Sequence, residues 1–123
     1  MSPPASPARL NTGQMLADAE QLLDSTADGP THDGLHELTL RLRGHIMQLI
    51  PAVTDRFSSW PRNDDTLAQA MAGTGRAQRQ LAVDPPDGSL TQAVAYAQRL
   101  ARTVVELTQH LARLDCATSR EFP

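Results

Sequence analysis

The stretch LHELTLRLRGHIMQLIPAV, residues 35–53, decides the architecture. Leu35, Leu38, Leu42, Leu49 and Val53 recur at spacings that place them on one face of an α-helix. Ile46, Ile50 and Phe57 widen that stripe into a face suited to contacting more than one neighbouring helix. His45 lies on the same stripe, so its ring is expected to turn away from bulk water and to need a polar partner. Pro51 falls inside the pattern, where it removes one helical hydrogen bond and crowds the carbonyl of Met47, which predicts a kink or a break.

Upstream, Met15, Leu16, Ala19, Leu22 and Leu23 form a second helical stripe starting near Thr12, with Asp18, Glu20, Gln21 and Asp24 assigned to the wet side. Gly29 and Pro30 read as its stop, and Thr31 as the cap of the helix that follows, with Asp33 in the first turn. The segment Ser2–Pro7 cannot donate backbone hydrogen bonds at Pro3, Pro4 and Pro7 and has no apolar period, so a disordered tail is expected over residues 1–11.

Downstream, Trp60-Pro61 ends the central segment, and Asn63, Asp64 and Asp65 offer caps for a third helix. Leu67, Ala70, Met71, Thr74, Ala77 and Leu81 give that helix a thin inner face. Gly73 and Gly75 each cost about 1 kcal/mol of helix propensity relative to Ala, which marks it as the helix most prone to fray. After the turn Asp84–Gly88, the run Ser89-Leu90-Thr91-Gln92 has the form of a capping box. From Leu90 through Val94, Leu100, Val104, Leu107 and Leu111 to Leu114 one apolar face then continues for about seven turns without Gly or Pro. Four such helices with short connections predict an all-α, antiparallel up-down four-helix bundle over residues 12–115, followed by a tail at 116–123. No strand pattern or internal repeat competes.

A chain of 123 residues is expected to build one core. All its basic residues are Arg, and the formal net charge of −3 gives no field for polyanions; nucleic acid is therefore not expected as a partner. The lone Cys116 forms no internal disulfide and builds no thiolate metal site, which fits a reducing cytoplasm. No apolar run is long enough for a membrane span, and the first residues lack the apolar core of a secretion signal.

His45 could hold a ligand or act as a base inside the bundle, or it could be a core histidine satisfied by a neighbouring carbonyl or hydroxyl. Glu106 is the only acidic residue identified near the depth it requires. His32 and His36 stand four apart, a chelating spacing, but no third ligand or HExxH context accompanies them; no metal site and no cofactor is expected. Arg76 with Arg79, and Arg99 with Arg102, are i, i+3 pairs that could converge as a clamp for a carboxylate or phosphate, or could decorate a solvated face. The Gly73-Thr74-Gly75-Arg76 run follows no strand and lacks the lysine ending of a phosphate loop. No nucleophile, base and acid combine into a catalytic set.

At Leu42-Arg43-Gly44-His45-Ile46, followed by Leu49-Ile50, and again at Ala97-Gln98-Arg99-Leu100-Ala101, the sequence resembles a family of small actinobacterial helical domains of unknown function associated with natural product biosynthesis. The resemblance spans Met15 to Leu114. It implies a helical cytoplasmic protein tied to secondary-metabolite gene clusters, and brings no activity, cofactor or catalytic residue with it. It directs attention to Arg43, Gly44 and His45; Gly44 could also mark the close passage of a neighbouring helix. The leading expectation is a noncatalytic interaction or accessory protein with a protein partner or self-association through an apolar helix face. The alternative is a small-molecule-binding protein or cofactor-free enzyme using an interhelical pocket with His45 and arginines.

Overall fold

A computed structural model describes residues 11–23, 32–84 and 88–121, apart from the side chains of His32, Asp33 and residues 116–121. Of the expected disordered tail over residues 1–11 only Asn11 is described, and it is ordered: its Oδ1 accepts from the Gln14 N–H at 3.0 Å and caps α1. The other tail residues and the expected signals at Gly29, Pro30 and Thr31 lie outside the described residues. Four α-helices account for the fold: α1 (Thr12–Leu23), α2 (His32–Thr54), α3 (Asp65–Leu81) and α4 (Leu90–Glu121). A single 3-10 turn, Phe57–Ser59, joins α2 to α3, and no strand is present among the described residues.

Cross-helix contacts fix the topology. Arg76 meets Glu106, Gln80 meets Thr103 and Val83 meets Tyr96, so numbering falls along α3 as it rises along α4 and the two run antiparallel. Arg43 reaches Tyr96 and Arg56 reaches Asp115, so α2 runs parallel to α4. This is the up-down-up-down arrangement. α4 packs against each of the other three helices and forms the spine of the bundle.

The central stripe behaves as its spacing requires: Leu42, Ile46, Leu49 and Val53 are fully buried, against Ala97, Leu100, Val104 and Leu107 of α4 within one apolar core. Three buried threonines satisfy their hydroxyls locally, Thr39 on the Leu35 carbonyl, Thr74 on that of Met71 and Thr108 on that of Val105.

Several boundaries and faces differ from the sequence expectation. α2 continues past Pro51 to Thr54, because Pro51 lies on the exposed side near the helix end; Phe57 consequently sits in the 3-10 turn rather than in the same helix. Met71, assigned to the inner face of α3, is 52% exposed, and Leu90 at the start of α4 is 39% exposed. α3 is continuous through both glycines. Gly73 is buried there, where small size lets α3 approach α4 closely. The helical backbone of α4 runs to Glu121, beyond the expected end at Asp115. At Gly44, no other group lies within 4 Å of the position a Cβ would take, so no helix passes close to it.

Of the expected caps, the aspartate at the start of α3 and the serine half of the Ser89–Gln92 capping box are present. Asp64 accepts from the backbone N–H groups of Thr66 at 2.7 Å and Leu67 at 3.3 Å, and Ser89 Oγ accepts from Gln92 N–H at 3.2 Å. Because Asp64 satisfies two otherwise orphaned donors, Asp64→Ala is expected to lower stability by about 1 kcal/mol, read by chemical denaturation.

Candidate functional site: an arginine-lined groove

The sequence singles out His45, and the structure gives it a partner that the sequence reading placed in solvent. Asp18 is fully buried, not on the wet side of α1. Its Oδ2 lies 2.8 Å from His45 Nε2, its Oδ1 accepts from Gln14 Nε2 at 3.0 Å, and the Arg41 guanidinium stands 3.6 Å away. The carboxylate has donors on both oxygens, and the imidazole is fixed by one of them. His45 therefore has its polar partner inside the bundle, and it lines neither of the two grooves described here. The signal in the sequence was spacing: Asp18 stands three residues after Met15 and four before Leu22, on the buried row itself.

Arg43 is also engaged internally. Its guanidinium donates to the Leu81 carbonyl at 2.9 Å, the Val83 carbonyl at 3.4 Å and Tyr96 Oη at 2.5 Å, while Tyr96 Oη donates to the Val83 carbonyl at 3.1 Å. These carbonyls lie at and just beyond the C-terminus of α3, where helical acceptors lack intrahelical donors and a cation is favoured. Arg43 thus ties the end of α3 to α2 and α4.

The other four arginines come together. Arg76 and Arg79 of α3 and Arg99 and Arg102 of α4 line one open groove of about 670 Å³, together with Val83 and Tyr96. Their convergence follows from the antiparallel pairing of α3 and α4: an i, i+3 pair on each helix faces the same trough. Gln80 and Thr103, hydrogen-bonded to each other, form part of its wall. One carboxylate, Glu106, lies in the groove and pairs with Arg76. Among the described residues no carboxylate pairs with Arg79, Arg99 or Arg102, so the groove carries local positive charge on a molecule of net charge −3. Lining one groove with three of the four lacking a carboxylate partner, these guanidiniums suit a ligand that supplies its own anionic oxygens.

A second groove of about 630 Å³ lies between α1, the end of α2 and α4, lined by Leu16, Ala52, Val105 and Leu111 among others. Arg56 and Asp115 on its rim pair at 2.8 Å, so their charges cancel locally and give no comparable preference. Of the spaced histidines, His36 is exposed and the His32 side chain lies outside the described residues. Among the described residues no group of three or more His, Cys, Asp or Glu is placed to hold a metal ion, and no helix is long and apolar enough to cross a membrane.

Sequence reasoning passed over His110, which the structure buries to 6% exposure beside Gly73. The signal was again its register, three residues after Leu107 and four before Leu114.

Neither the curated proteins nor the solved structures include a match to this chain. A family model does match, over residues 13–116, which reaches from α1 into α4 and includes both arginine pairs. The chain belongs to a family of unknown function, DUF6415.

Proposed function

We propose that this protein is a noncatalytic accessory protein that binds an anionic small molecule, through a carboxylate or phosphate, in the groove between α3 and α4. The observation that carries this reading is the convergence of Arg76, Arg79, Arg99 and Arg102 on one trough. Three of these cations have no carboxylate partner among the described residues, and an anion placed between them makes charge-assisted hydrogen bonds to more than one guanidinium at once. Val83, 57% exposed in the groove lining, offers apolar contact to the body of such a ligand. The resemblance at Leu42–Ile46 and Ala97–Ala101 supports reading this activity as part of natural product biosynthesis in an actinobacterium.

Calorimetric titration with pyrophosphate and with citrate at constant ionic strength tests the site. Binding is expected for the wild type, and the Arg99→Ala/Arg102→Ala variant is expected to bind about tenfold more weakly. Arg62→Ala, at an exposed position between α2 and α3, is expected to bind as the wild type does. Equal affinity in the Arg99/Arg102 and Arg62 variants would reject the groove as the site.

A second reading, self-association, is favoured by the outer face of α2. Leu40 and Met47, 54% and 61% exposed, stand seven residues apart on one face with open space at Gly44 between them. A two-fold crossing near Gly44 sets Leu40 of each copy against Met47 of the other, the self-complementary arrangement of a symmetric dimer. Light scattering on the purified protein is expected to give a dimer mass, and Met47→Glu a monomer; a monomeric wild type rejects this reading.

A further inference from the structure

The groove contains its own anion, and the residue beside that anion lacks a hydrogen bond. Glu106 Oε2 pairs with the Arg76 guanidinium and stands 3.5 Å from His110 Nε2 on the next turn of α4. That distance is beyond an ordinary hydrogen bond. His110 is more than nine-tenths buried, and neither of its ring nitrogens has a hydrogen-bond partner. The ring sits where it does because position 73 is glycine: a Cβ there would lie 2.8 Å from His110 Nε2. Close approach of α3 has therefore left a buried imidazole beside a carboxylate that is turned toward an arginine instead.

Resting on the anion-binding reading above, we propose that Glu106 is a built-in competitor of the ligand: the incoming carboxylate or phosphate takes Arg76, and the displaced Glu106 closes onto His110. Steric access is open, since the Arg76 and Glu106 side chains are 55% and 35% exposed. An ion pair this exposed is weak and easily exchanged for a more highly charged anion. A buried nitrogen without a partner is costly, so the freed carboxylate gains a hydrogen bond from the Nε2–H tautomer of His110 as it leaves Arg76. No proton need enter or leave the protein in this exchange. The positive groove is held neutralised at one end when empty, and the full set of four guanidiniums becomes available only to an anion able to displace the carboxylate.

The test titrates wild type, Glu106→Ala and, as a control for net charge, Glu20→Ala with pyrophosphate at constant ionic strength. Glu106→Ala is expected to bind about fivefold more tightly than wild type, and Glu20→Ala, an exposed position on α1, to be unchanged. Nitrogen NMR supplies the readout that charge removal alone would not move: saturating pyrophosphate shifts His110 Nε2 in the wild type and leaves it in place in Glu106→Ala. Binding by the wild type without tighter binding in Glu106→Ala, or without a change at His110, overturns the displacement alone. Failure of both wild type and Glu106→Ala to bind overturns the groove reading and the displacement together.

Discussion

Asp18→Ala is expected to lower the unfolding free energy by about 3 kcal/mol, because it removes the buried carboxylate to which His45 and Gln14 are hydrogen-bonded and leaves the inward-facing imidazole without that partner. A wet-face residue on a short helix costs within about 0.5 kcal/mol when truncated, so the measurement separates the two assignments of Asp18 cleanly. Chemical denaturation of the single variants and of Asp18→Ala/His45→Leu completes the test. The double variant no longer carries an unpaired buried polar group, so the two substitutions are expected to be non-additive by at least about 1 kcal/mol. Additive effects would show that the 2.8 Å contact contributes no coupling.

Arg43→Ala is expected to cost about 2 kcal/mol, the next largest effect. The guanidinium is only partly buried, which weakens each bond, yet it serves Leu81, Val83 and Tyr96 at once. Lysine cannot restore this arrangement, since one ammonium lacks the planar fork that reaches two carbonyls and a phenol together, so Arg43→Lys is expected to recover less than half of the loss. Amide hydrogen exchange locates the effect: protection should fall at the C-terminal turn of α3 and remain unchanged at α1. A uniform loss along all four helices would mean that Arg43 acts through the core instead of at the helix end.

Both predictions turn on polar residues whose significance one helix alone could not show. Asp18 and His110 occupy buried rows at perfectly regular spacing, yet a single helix offers no means of telling a carboxylate that has found an imidazole from one that faces water. Removing polar residues from an apolar stripe by type is what misassigned Asp18. The arginine pairs posed the converse problem: Arg76 with Arg79, and Arg99 with Arg102, were evident as pairs, but a pair on one helix reads equally as a solvated face. Only the pairing of α3 with α4 sets both in one trough. Gly73 is similar. Its cost to helix propensity could be read locally, whereas its use, room for the His110 ring, belongs to a helix more than thirty residues away.

The sequence by itself determined the four helices, the Ser89 cap, a capping site within Asn63–Asp65, and the bundle class, because hydrogen-bonded turns, caps and apolar periodicity are properties of residues within a few positions of one another. Which carboxylate faces His45, where four guanidiniums converge, and which buried nitrogen is left without a partner were decided by the tertiary structure alone. Burial and charge pairing at those positions depend on the rotation and height at which one helix meets another, and that geometry is fixed only when all the apolar faces are packed at once.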